Sequence, residues 1–135
     1  MLIPSFMKLI RGIKPEFTDE RGDIFSLFDE NGKTVIKSAL FITCKEGAIR
    51  ANHYHKEDSH YCYMLSGKME YTAEPVEGEN PERKTVIVNA GDIIYTPSMT
   101  KHAMRFLEDS AFLALATKSR RDGKYEDDTV KVKLI

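Results

Sequence analysis

Cysteine is scarce in this chain: Cys44 and Cys62 are the only two among 135 residues. Two thiols that far apart exclude a zinc ribbon or a CxxC redox pair, and they are too few to staple a small secreted domain. Both are expected to be buried. Long apolar runs are missing too, and none approaches the length of a membrane span. The apolar N-terminal stretch has no charged lead and is interrupted by Pro4, Lys8 and Arg11, so it does not read as an export signal and a cytoplasmic protein with no membrane partner is expected. No single sign of charge dominates either. Twenty basic residues against twenty-one acidic ones leave a formal charge of -1, which excludes a global field for nucleic acid or anionic lipid and favours a small-molecule ligand. Repeats, low-complexity segments and a DNA-binding segment are absent. The length suits one domain, residues 1–135, with a real core.

What the chain does have is a series of short apolar runs separated by turn chemistry, with no sustained helical period. Ile24 to Phe28 and Val35 to Thr43 flank Asn31-Gly32, the signal of a tight hairpin turn. Lys68 to Ala73 alternates, with Met69, Tyr71 and Ala73 on one face, as a half-buried strand does. Glu74 to Arg83, with Pro75, Gly78, Asn80 and Pro81, reads as a solvated loop. Thr85 to Val88, Ile93 to Thr96, His102 to Leu107 and Ala111 to Thr117 follow, each bounded by Gly, Pro, Asn or Asp. The tail, residues 118–135, carries charge runs and then alternates from Val130 to Leu134, a final edge strand whose lysines discourage further pairing. Around ten short strands at this spacing predict an all-β antiparallel sandwich or barrel.

Histidine is the second scarcity, and its placement is informative. Of four histidines, His53, His55 and His60 fall within Gly47–Gly67, and the fourth, His102, follows Gly91 and Pro97. On a strand, the period of two turns His53 and His55 to one face, where a single metal ion can take both nitrogens. The same period carries Ile49 and Ala51 inward with them, Cys62 and Met64 with His60, and Met104 and Phe106 with His102. The histidines would then stand against an apolar lining that lowers the local dielectric. Within that lining Cys62 is expected to serve packing rather than ligation.

The spacing of Gly47, His53, His55, His60 and Gly67 resembles the first cupin motif, and Gly91, Pro97 and His102 resemble the second (residues 47–67 and 91–106). His60 replaces the usual Glu, and Met99 and Phe106 replace the usual Gly and Asn. The resemblance implies a jelly-roll β-barrel with His53, His55, His60 and His102 holding a divalent transition metal. Imidazole suits zinc, copper, iron and nickel, and manganese is tolerated. Four neutral ligands leave the metal's charge uncompensated, which favours an anionic or enolate ligand.

Upstream, Asp19-Glu-Arg21-Gly22 followed by Arg50-Ala51-Asn52-His53 is similar to the flanks of the cupins that remodel nucleotide-linked keto-deoxysugars, the 3,4-ketoisomerases and 3,5-epimerases, with Ala51 where they have Gly. That likeness implies Arg50 and Arg21 as substrate-binding groups; as sequence alone, either is equally a surface residue. The expected chemistry is proton abstraction beside a ketone through an enediolate. A metal-bound histidine is not a free base, so the proton carrier is sought among Tyr61, Tyr63, Tyr71 and Tyr95, or is His53 or His55 if no metal binds. A His-ligated iron dioxygenase and a non-enzymatic metal and ligand-binding module are the alternatives. A homodimer is expected, as is common among cupins.

Overall fold

The computed structural model describes residues 7–29 and 32–135. Among these residues twelve strands form two five-stranded antiparallel sheets and one two-stranded ribbon. In chain order the strands are β1 (Lys8–Ile10), β2 (Phe17–Asp19), β3 (Gly22–Ile24), β4 (Ser38–Cys44), β5 (Ile49–His55), β6 (His60–Ser66) and β7 (Lys68–Pro75). Then come β8 (Lys84–Asn89), β9 (Ile93–Thr96), β10 (Thr100–Phe106), β11 (Ser110–Ala116), a short helix α1 (Lys124–Asp128) and β12 (Thr129–Lys131). One sheet runs β1-β9-β6-β11-β4, the other β12-β5-β10-β7-β8, and β2-β3 pair only with each other. The two strands beyond the expected ten are β1 and β2, each only three residues long and too brief for a periodic signal, and β3 covers Gly22–Ile24 where the sequence pattern predicts Ile24 to Phe28.

Alternation decides which side of each strand enters the core. Met69, Tyr71 and Ala73 of β7 are fully buried, as are Cys62 and Met64 of β6, and Phe106 stacks on Phe112 between the sheets with ring centroids 5.9 Å apart. Burying this set from both inner faces is the main stabilising term of a two-sheet fold. Both cysteines are buried and unpaired. The turn from β6 to β7 requires Gly67: its φ is +85°, and a Cβ there would lie 2.6 Å from the Asp109 carbonyl oxygen.

Two local expectations change. Asn31 lies outside the described residues, but its flanks do not form a hairpin, since β3 pairs with β2 and β4 with β11. Long-range pairing along the whole of β4 outweighs the local turn preference. Within the tail, the strand is limited to Thr129–Lys131, at the edge of its sheet against β5, and α1 precedes it. No helix among the described residues is long and apolar enough to cross a membrane.

A candidate metal and ligand site inside the barrel

The four histidines come from both sheets and converge. His53 and His55 project from β5, His102 from β10 beside it, and His60 from β6 in the opposing sheet. Ring centroids lie 4.6 Å apart for His53 and His55, 4.8 Å for His53 and His102, 5.1 Å for His60 and His102, and 5.7 Å for His55 and His60. His55, His60 and His102 are buried and His53 is half-buried.

Hydrogen bonding assigns two tautomers. His102 Nδ1 is 2.9 Å from the Thr100 carbonyl oxygen, which only accepts, so Nδ1 carries the proton and Nε2 is left with its lone pair. The Thr129 hydroxyl spends its hydrogen on the Tyr125 carbonyl, so it accepts from His55 Nδ1–H at 3.2 Å. Asp128 stands 3.5 Å from the same Nδ1. Fixing one ring nitrogen in this way is how proteins orient an imidazole toward a metal. The donor set fits a cation: potential ligand atoms of His53, His55 and His102 lie within 4.8 Å of one another, and so do those of His55, Asp58 and His60, the two groups sharing His55.

Electrostatics keep His53, His55 and His102 neutral, the form a metal requires. Burial, reinforced by His55, His60 and Arg120, lowers the His53 pKa to about 3. Burial and the neighbouring His60 and His53 hold His102 well below the ordinary histidine value. His55 is lowered by burial and then by His60, with Asp58 and Asp128 opposing. For Asp58, burial opposes ionisation, but His60, His55 and Thr117 outweigh it and keep the carboxyl below its usual value. Asp58 Oδ1 accepts hydrogen bonds from Thr117 N, Thr117 Oγ1 and Lys118 N, so it also ties the end of β11 to the site.

The rings open into a cavity of about 170 Å3. Leu40, Ile42, Cys62, Met104 and Phe112 form its apolar wall, and Asp58, Arg50, Arg120 and Tyr125 are its remaining polar lining. Burial pushes the Cys62 thiol up to about 12, so it lines the wall as a thiol.

Strict period two would have placed Ile49 in this wall. It is instead 46% exposed, because β5 bulges: His53 faces His102, but Ala51 faces Ala103 and Arg50 faces Met104, leaving Asn52 as the extra residue. Ala51 and Asn52 take φ of 69° and 54°. The bulge shifts the phase by one residue, so Ala51 still lines the cavity while Arg50 enters it in place of Ile49. Arg50 Nε then donates to Cys44 Sγ at 3.0 Å and Nη2 to the Thr43 carbonyl at 3.1 Å. Asn52 Oδ1 accepts from the backbone N–H groups of Leu134 and Ile135, pinning the C-terminus to the bulge.

The other residues singled out in the sequence lie elsewhere. Tyr61 and Tyr95 pack at a tilt with centroids 4.6 Å apart and line a separate groove with Phe28. They alternate with the inward His60 and Cys62 and so face away from the cavity; Tyr63, half-buried, shares the face of Tyr61. Tyr71 is beneath the cluster, fully buried, its ring 6.2 Å from His102 and its hydroxyl bonded to Thr96. Arg21 sits on the β2-β3 turn, bonded to Asp19, its side chain 80% exposed. The tyrosine that does line the cavity is Tyr125 on α1, with ring centroids 5.7 Å from His55 and 6.4 Å from His53. Sequence periodicity had no means of finding it, since five residues of helix in a charged tail carry no pattern pointing inward.

Two sheets of antiparallel strands enclosing a histidine cluster define the class, and the chain matches the cupin domain family over residues 40–117. It belongs to the cupins. The structure is similar to the QdtA 3,4-ketoisomerase of Thermoanaerobacterium thermosaccharolyticum, solved as a double mutant with TDP (24% identity, covering 97% of this chain and 89% of that one, TM-score 0.72). It is also similar to a 3,4-ketoisomerase from Helicobacter canadensis (23% identity, 93% and 90% covered, TM-score 0.74). A third likeness is to the dTDP-4-dehydrorhamnose 3,5-epimerase of Sulfolobus tokodaii (18% identity, 99% and 81% covered, TM-score 0.78). At these identities the likeness is one of fold. Comparison of the sequence with individual curated proteins finds no match.

Proposed function

We propose that the chain is an isomerase or epimerase that moves a proton beside the ketone of a keto sugar, with a nucleotide-linked sugar as the substrate class. The observation that carries this reading is the convergence of four imidazoles with Arg50 in one apolar-walled cavity. His53, His55, His60 and His102 are the residues that would hold a divalent metal. When bound, such an ion supplies Lewis-acid polarisation of a carbonyl oxygen.

The remaining roles belong to the chain's own residues. The wall of Leu40, Ile42, Met104 and Phe112 excludes water and strengthens each polar interaction inside. Arg50, already anchored to β4 through Cys44 and Thr43, presents a guanidinium fork to an anionic group of the substrate. The proton carrier in the metal-loaded protein is Tyr125, because Asp58 Oδ1 is engaged by Thr117 and Lys118, its Oδ2 is turned to His60 Nδ1 at 3.9 Å, and the Cys62 thiol is held protonated. In a metal-free protein His53 takes that place, as the half-buried ring held neutral. Exposed Phe17, Ile24 and Phe25 at the β2-β3 ribbon and exposed Phe41 on edge strand β4 support a homodimer.

The test is incubation of the purified protein with keto-sugar nucleotides in D2O, followed by NMR. Deuterium should appear at the carbon next to the ketone. No label in any candidate removes the proposal, and substrate-dependent oxygen uptake replaces it with a dioxygenase.

A further inference from the structure

The cavity holds a second guanidinium that neither the motifs nor the family match brings to notice. Arg120 lies beyond β11, in a segment that reads from the sequence as solvated tail, yet it lines the same cavity as Arg50. Its guanidinium carbon sits 3.9 Å from the centroid of the Tyr125 ring, a cation–π contact that holds a planar group in place while leaving its donors free. Its charge reaches His53 and His55. Arg50 is bonded to a thiol and a backbone carbonyl, and Arg120 rests on a ring. Among the described residues neither guanidinium is in an ion pair. The carboxylate that lines the cavity, Asp58, is satisfied by Thr117, Lys118 and His60. Two held arginines with unspent donors therefore share one small space with a single carboxylate, Asp58, which is turned to Thr117, Lys118 and His60 and pairs with neither guanidinium.

We infer that Arg120, seated on Tyr125, is a second anion-binding residue, and that together with Arg50 it holds the diphosphate of a nucleotide-linked ligand at the cavity. This rests on the sugar reading above and deepens it. The cavity, at about 170 Å3, is below the usual range for a drug-sized ligand, roughly 300–1,000 Å3. It accommodates the sugar and leaves the charged linker at the arginines. A diphosphate offers more acceptor oxygens than one fork can satisfy, so a second guanidinium adds charge-assisted bonds rather than duplicating the first.

The experiment is calorimetric titration with thymidine diphosphate and, as the uncharged control, thymidine, over a series of KCl concentrations. The proteins compared are wild type, R120Q, R120K and R50Q, each checked for an unchanged melting temperature and metal content. Arg120 is exposed, so its substitutions should leave the fold intact. The dissociation constant of the diphosphate should rise about tenfold or more in R120Q, in line with the loss of a charged hydrogen bond. R120K should recover part of that loss, and the salt dependence of binding should be shallower in R120Q than in wild type. Unchanged affinity and salt slope in R120Q overturn the inference. If R120Q also exchanges deuterium into a keto sugar as fast as wild type, the sugar reading survives that result. Wild type that neither binds the diphosphate nor exchanges label removes both.

Discussion

His53 and His102 sit directly opposite each other on β5 and β10, ring centroids 4.8 Å apart, at the place where the ladder slips register by one residue. The slip is the bulge of Ala51 and Asn52, and it serves two purposes at once. It keeps the two imidazoles in contact, edge to face at 81°, and it turns Arg50 rather than Ile49 toward them.

The bulge predicts a stabilising substitution. Ala51 has φ of 69°, a conformation costing a non-glycine residue about 1–2 kcal/mol, whereas the added chain entropy of glycine in the unfolded state costs roughly 0.4–1 kcal/mol. Ala51→Gly should therefore stabilise the protein by about 0.5–1 kcal/mol in a urea titration, and Ala51→Val should destabilise it. A loss of stability in the glycine variant would show that the strain is absent.

Metal loading should register in both composition and stability. Elemental analysis of protein purified without added metal should find a transition metal, and chelation should lower the melting temperature, since an ion that binds only the folded state adds RT ln(1 + [metal]/Kd). His55→Gln and His102→Gln should each reduce occupancy. A protein that takes up none of zinc, nickel, iron, manganese or copper, with an unmoved melting temperature, would strip the four histidines of the ligand role.

Acid should weaken the metal-free protein earlier than carboxylate titration would. His53, lowered to about 3, and His55 and His102, also lowered, stay neutral in the folded state, while in the unfolded chain they protonate near 6.5. The unfolded state binds more protons below that value. For His53 the stabilising contribution is thus complete above about pH 6.5 and falls as pH drops from there toward about 3, by up to about 1.4 kcal/mol per pH unit, and His55 and His102 add losses of the same sign below about pH 6.5. A melting temperature of the chelator-treated protein that is flat from pH 7 to 5 contradicts this, and His102→Gln should flatten the profile.

Tyrosine substitutions should separate the cavity from its surroundings. Tyr125→Phe should lower kcat about 100-fold or more, the usual scale of a lost acid–base group, while metal content stays unchanged. Tyr61→Phe, Tyr63→Phe and Tyr95→Phe, on the face away from the cavity, should leave turnover within a small factor of wild type. Tyr71→Phe should act on stability instead, because it leaves the buried Thr96 hydroxyl without its partner, at about 1–3 kcal/mol. Equal turnover for Tyr125→Phe and wild type would move the proton transfer to another group.

Local pattern was enough to determine the all-β class, the strands that alternate, and the face of β6 that carries His60, Cys62 and Met64, because a two-residue period is written directly into the order of side chains. It was also enough to single out the four histidines. What only the tertiary structure decided is where that period breaks and what closes over the result. A bulge at Ala51 and Asn52 has no glycine to announce it and exists through its pairing with β10, so the inward turn of Arg50 was invisible along the chain. Arg120 and Tyr125 reach the cavity only because Asp58 and Asp128 bond the segment after β11 to the loop beside His55. Those contacts join residues some sixty to seventy positions apart, and no periodicity extends over such a separation.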